Sequence, residues 1–294
     1  MTDAILLHSA GGDSASILLH GAELSSWRAR GVDLIWAKDP AVWDQTAPVL
    51  FPVVGWTRDG RVRVAGRDYP LALHGFAWKK TFRAAEIGPD FARLALVDDD
   101  ETRALYPFAF RFEVEFRLQD GALVNELIVT NTGDAPLPYA CGLHPAFRWP
   151  FAGSAAPHSL IFDKDERAEV PIIGAGGLFS KPIRPVPLEN RRLPLARDLF
   201  TRDALCFLNK NSDRLVFDNG AGSRLHVEMR DFPHLGFWTL PPAQYLCIEP
   251  WTGHGDPEDF RGDIYEKPSM RLLAPGASAR HGATFRFEKA DATA

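Results

Sequence analysis

"FRFEVEFRLQDGALVNELIVTN", from Phe110 to Asn131, decides the fold class. Phe110, Phe112, Val114, Phe116 and Leu118 alternate with charged residues or glutamine. Successive side chains of a strand point to opposite faces, so this period of two buries one face and wets the other. Asp120-Gly121 is a tight-turn dipeptide, and a second alternating run follows it. The segment reads as a β-hairpin.

Working outward, the same grammar recurs. "RVRVAGRDYPLAL" turns around Ala65 to Asp68, "RLVFDNGAGSRLHVEM" at Asn219-Gly220, and "MRLLAPGASARHGATFRF" at Pro275-Gly276. The opening "SILLHGAELSSWRARGVDLIWA" holds two or three more strands. Helical periodicity is nearly absent; "PEDFRGDIY" and "LARDLFTRDA" each suit a turn or two of helix. Proline and glycine cluster between Val170 and Pro194, which reads as a long connection over the sheets, since strand patterning resumes beyond it. The expectation is an all-β chain with very little helix: one large antiparallel β-sandwich over residues 1–294.

Composition bounds the function. The 294 residues carry a formal net charge of -5, and the densest basic cluster, "ENRRLPLAR", is short and interrupted by apolar residues. Neither feature suits a nucleic-acid partner. The three cysteines, Cys141, Cys206 and Cys247, show no C-x-x-C spacing, so neither a disulfide framework nor a zinc cage is expected. Cys141 and Cys247 sit in apolar runs and read as small core residues. "MTDAILLHSAGG" lacks the basic region of a secretory signal, and no apolar run reaches the length of a membrane span. The expected compartment is the cytoplasm, with no membrane partner. No histidine pair has H-x-H or H-x-x-x-H spacing, and there is no P-loop, dinucleotide fingerprint or G-x-S-x-G elbow. No metal and no cofactor are expected.

One strand does not fit a simple core. In "YLCIEPWTG", Tyr245 to Gly253, the alternation places Glu249 on one face with Tyr245, Cys247 and Trp251. A carboxylate there loses water, which penalises its charged form. Two histidines share the pattern: His74 in "LALHGFAW" and His144 in "ACGLHPAFRW" each end an apolar run and precede Gly or Pro. Pro250 is likewise expected to end the strand of Glu249. Side chains at such strand exits are placed to line a cleft.

"GAELSSW", "PVLFPVVG", "LHGFA", "YPFAF", "GLHPAF", "RDAL" and "YLCIEPWTG" follow one another in an order that resembles the aldose 1-epimerase (galactose mutarotase-like) family. The likeness is strongest to its branch of hexose-6-phosphate epimerases and epimerase-like bacterial proteins, and runs from Ser14 to Phe287. It implies a cofactor-free isomerase on a β-sandwich that interconverts the α and β anomers of a hexose or related sugar. It also implies roles: Glu249 as catalytic base, His144 as general acid, His74 as the histidine that orients the sugar near its ring oxygen, and Asp203 as a partner of sugar hydroxyls. A carboxylate facing an imidazolium is the pairing such acid–base chemistry calls for. Phe76, Trp78, Trp149 and Trp251 are aromatic candidates for the sugar's C–H surface.

Two departures stand out. Relatives often carry arginine directly after the glycine of "FPVVG"; this chain has Trp56, so Arg58 or Arg61 is expected to take over that contact. In the phosphosugar branch an arginine precedes the "P-x-x-FP" stretch; this chain has "WDQTAP", which leaves a free or a phosphorylated substrate open. Trp56 also motivates an alternative, a non-catalytic sugar-binding protein of the same fold. A glycosidase using Glu249 and Asp203 is a further alternative. The only partner expected is a small sugar, and monomer and homodimer both stay open.

Overall fold

The computed structural model describes residues 4–290, so the two ends of the expected 1–294 unit lie outside the described residues. The Phe110–Gln119 and Ala122–Asn131 strands pair antiparallel in the register Gln119 to Ala122, around Asp120-Gly121. Every apolar member of the first strand is buried, from Phe110 to Leu118. That hairpin lies inside a nine-stranded sheet, flanked by Phe91–Val97 on one side and Ser278–Glu288 on the other.

A six-stranded sheet faces it. Its order is Leu205–Phe207, His234–Trp238, Tyr245–Trp251, Gly142–Leu143 and Val49–Leu50, and Ala146–Arg148 also pairs with Tyr245–Trp251. Alternation divides this sheet cleanly. Val49, Leu143, Phe147, Leu205, Phe207, Leu235, Phe237, Leu246 and Ile248 join the main core against the larger sheet. Leu50, Ala146, Cys206, Tyr245, Cys247 and Trp251 belong to separate clusters on the other face. A four-stranded sheet built from Ala4 to Asp33 adds Ile5, Leu7, Ile17, Leu24 and Trp27 to the main core, which extends to Phe287. Among the described residues the only α-helix is the six-residue Asp100–Leu105, capped by Asp99. No described helix is long and apolar enough to cross a membrane. The chain is therefore an all-β protein of packed antiparallel sheets.

Three sequence readings change. Pro275-Gly276 does not close a hairpin: Arg271–Leu273 pairs with Leu137–Tyr139, whereas Ser278–Glu288 enters the large sheet. The corner between them is held by Asn131, whose backbone and side chain both bond to it. The Val170–Pro194 connection is not bare loop. Glu169–Ile173 and Phe179–Pro185 form a hairpin whose Gly174–Gly177 tip rests near Trp56. Pro250, finally, does not end its strand, which continues to Trp251. The N–H groups of Ile248 and Thr252 reach the carbonyls of Pro145 and Cys141. Pro250 lies between them, beside the gap separating Gly142–Leu143 from Ala146–Arg148, where no ladder donor is required.

Candidate active site

That gap positions the chemistry. His144 and Pro145 fill it, so prolines on two neighbouring strands interrupt the ladder side by side, and His144 and Glu249 meet across the break. His144 Nε2 lies 3.1 Å from Glu249 Oε2, with both side chains almost wholly buried. The imidazole packs against Trp43 and Trp238 at ring separations of 5.5 and 5.9 Å, and the two indoles also touch each other at 5.3 Å.

His74 reaches the same place from a loop rather than a strand end. Its backbone is left-handed, with φ of 60°, and its N–H donates to the Gly55 carbonyl. The Gly55 N–H donates back to His74 Nδ1 at 3.1 Å. Because Nδ1 accepts, the proton of the neutral ring is on Nε2. The His74 and His144 rings stand edge to face, 5.5 Å apart.

These three side chains line one cavity of about 520 Å³, within the size range of small-molecule sites. Trp251 forms part of its wall. The indole lies over Gly142 and Gly236, where an added Cβ would approach it to 2.6 and 2.5 Å. Trp43, Trp56, Trp78, Trp238, Ile173 and Phe179 supply further apolar surface. Asp203 is on the rim, exposed, with φ of 73°, and its Oδ1 accepts the N–H of Ala204 at 2.7 Å. Inside this apolar lining several polar atoms have no protein partner: Glu249 Oε1, His144 Nδ1, and the indole nitrogens of Trp78 and Trp251. Buried polar groups are ordinarily satisfied, so this set suits a ligand bearing hydroxyls.

Burial sets the electrostatics. It holds the Glu249 carboxyl well above the usual carboxylate range, and nearby Asp203 adds to the rise. It pulls His144 down to about 4. Burial, then repulsion from His144, also holds His74 well below the usual imidazole range. The expected carboxylate–imidazolium pair is thus disfavoured in the cavity, because desolvating two charges outweighs their attraction there. The 3.1 Å Oε2–Nε2 contact is short enough for a proton to pass between the two groups.

Several candidates lie elsewhere. Arg58 is turned away from the cavity. Its guanidinium donates to the carbonyls of Phe260 and Glu258, and its N–H to Asp256, itself paired with buried Lys267. Arg61 pairs with Asp68 at the surface and lines a neighbouring hollow with Arg58. Neither takes over the contact that Trp56 leaves open. Phe76 is a core residue packed on Phe51, Tyr106 and Phe110. Trp149 lies under the Arg197 guanidinium, outside the cavity lining. Trp43 and Trp238 were not singled out from the sequence; the only hint was the tryptophan opening "WDQTAP".

The comparisons agree with this architecture. The family model described as aldose 1-epimerase matches residues 3–283. The chain is 28% identical to the chromosomal protein LacX of Lactococcus lactis subsp. lactis, across 87% of this chain and 90% of that protein. A galactose mutarotase related enzyme from Lactobacillus acidophilus superposes with a TM-score of 0.90 at 27% identity, covering 98% of each chain. A galactose mutarotase-like protein from Lactobacillus casei ATCC 334 gives 0.89 at 25% identity, over 97% of this chain and 100% of that one. With an all-β architecture and a match running nearly end to end, the chain belongs to the aldose 1-epimerase family.

Proposed function

We propose that the protein is a cofactor-free aldose 1-epimerase that opens and recloses the hemiacetal of an uncharged sugar. The observation that carries this reading is the 3.1 Å contact between His144 and Glu249 inside an apolar cavity. The anomeric oxygen and the ring oxygen share one carbon, so two adjoining acid–base groups can serve both. With the shared proton on His144, Glu249 takes the anomeric proton while His144 gives its proton to the departing ring oxygen. The pair ends as carboxylic acid and neutral imidazole. Rotation about C1–C2 exposes the other face of the aldehyde, and ring closure returns both protons. Each tautomer of the pair thus drives one half of the reaction, and the proton count stays constant.

His74 keeps Nε2–H as a donor for a sugar oxygen, since Gly55 occupies its other nitrogen. Asp203 accepts from sugar hydroxyls at the rim, and the indoles cover the C–H face. The lining includes Asp203 and Glu249 but no lysine or arginine, which supports a free sugar over a phosphorylated one. Glu249→Gln tests the reading. The variant should bind sugar and lose about 10² or more of the anomerisation rate, followed by polarimetry or exchange NMR. An unchanged rate would overturn the assignment, and saturable binding without acceleration by the parent protein would favour a sugar-binding role.

A further inference from the structure

Cys247 points to the same face of its strand as Glu249 but packs outside the cavity lining, with Trp36, Ala146 and Tyr245, and has no part in the proton transfers above. It is wholly buried and reduced. Its Sγ, a His144 ring nitrogen and a Glu249 carboxylate oxygen all lie within 4.8 Å of one another. The register explains the grouping. Cys247 pairs with Ala146, and is two residues from Glu249 along its own strand, while Ala146 is two from His144 on the neighbouring one. This cluster comes from two chain segments about a hundred residues apart in number, so the local histidine spacing that argued against a metal could not register it.

We infer that His144, Cys247 and Glu249 form an inhibitory site for a thiophilic divalent cation of the Zn²⁺ or Co²⁺ type. Imidazole, thiolate and carboxylate are the ligand types such ions take, at about 2.0–2.3 Å. Ligand atoms on a tetrahedral ion of that size stand roughly 3.3–3.8 Å apart. The 3.1 Å separation of Nε2 and Oε2 nearly matches this already. The thiol needs to close by only about 1 Å, an ordinary side-chain adjustment. Two of the three ligands, His144 and Glu249, line the cavity, which can supply water as a fourth ligand, and no lysine or arginine lines that cavity to repel a cation. A sulfur ligand selects against Mg²⁺ and Ca²⁺. An ion held there occupies the two atoms that share the proton, so it shuts down anomerisation without blocking the rest of the cavity.

The full chain, stripped of metal with a chelator, is titrated with Co²⁺ and then Zn²⁺. One equivalent of Co²⁺ should give a near-ultraviolet thiolate-to-cobalt absorption that Zn²⁺ abolishes. Cys247→Ala should lose that band and weaken binding by more than about 100-fold, beyond the 10–100-fold typical of an outer-shell partner. The same variant should keep its basal anomerisation rate and lose its sensitivity to Zn²⁺. Cys206→Ala should keep the band, and Cys247→Ser serves if the alanine variant does not fold. A band that survives in both Cys247 variants, or no thiolate band at all, overturns the site. The cobalt spectrum needs no sugar chemistry, so a protein that binds the ion but fails to anomerise sugars would sink the enzymatic reading and leave this one standing.

Discussion

The two faces of the Tyr245–Trp251 strand are made by the same seven residues and do opposite things. Leu246 and Ile248 point into the space between the sheets, where they meet other hydrocarbon, and every atom has a neighbour of its own kind. Tyr245, Cys247, Glu249 and Trp251 point the other way, and Tyr245, Glu249 and Trp251 each keep a polar atom without a protein partner. Burial is nearly equal on both faces, so burial alone does not separate scaffold from site. What separates them is whether burial is accompanied by satisfied chemistry. The inner face is complete in itself and holds the fold, whereas the outer face contributes Glu249 and Trp251 to the cavity.

The comparison can be broken most directly on the inner face. Phe237→Ala removes a fully buried ring from between the sheets and should cost about 3–5 kcal/mol in denaturant unfolding. A loss below 1 kcal/mol would show that this face is not close-packed. On the outer face, Glu249→Gln should raise the anomerisation barrier by about 2.7 kcal/mol or more, the equivalent of 10² in rate. Its unfolding free energy should stay level or rise, because it replaces a desolvated ionisable group by a neutral one. Marked destabilisation would mean that Glu249 is scaffold after all.

Next in size is pH. His234, on the outer face of this sheet, and His254, whose ring stands 5.1 Å from it, are pushed by burial to about 3 and about 4. Between roughly pH 6.5 and 4 for His254, and down to about pH 3 for His234, the unfolded chain protonates the ring while the folded chain does not. Stability should therefore fall as pH drops through that window, by up to about 1.4 kcal/mol per pH unit for each ring, and level off below it. His234→Gln should flatten the acid side of the curve; an unaltered slope would refute this account. Gly177→Ala comes lower. An added Cβ would lie 1.8 Å from the Trp56 ring, so the indole or the hairpin tip must shift, and φ of 73° adds strain. The expected result is a several-fold weaker sugar affinity with stability lowered by about 1 kcal/mol, measured by titration calorimetry and melting. Smallest of all, Arg61→Ala should change neither sugar affinity nor stability by more than about 0.5 kcal/mol, because its ion pair is exposed.

Much of the scaffold was legible because its signal is local. Alternation in Phe110–Leu118 and the Asp120-Gly121 turn need nothing beyond neighbouring residues. Glu249 stood out for the same reason, as an ionisable group in an apolar run. The misreadings arose where distant segments decide the outcome. Nothing near Arg58 announces that carbonyls two hundred positions later will take its guanidinium. Pro250 looks like a strand end until the neighbouring Pro145 and the break beside it come into view. The Pro275-Gly276 turn is real, yet it redirects the chain between sheets because Asn131 holds the corner. Trp238 carries no local mark, and Trp43 only its place at the head of "WDQTAP", since an indole beside an imidazole is a product of tertiary packing.

The paired prolines also bear on where the site falls. Neither Pro145 nor Pro250 has an amide proton, so this seam in the sheet has fewer rungs to lose. The interruption falls where His144 and Glu249 meet, while the Ile248 and Thr252 rungs close the ladder on either side, so the reactive pair occupies the one stretch of this seam that makes no backbone demands of its own.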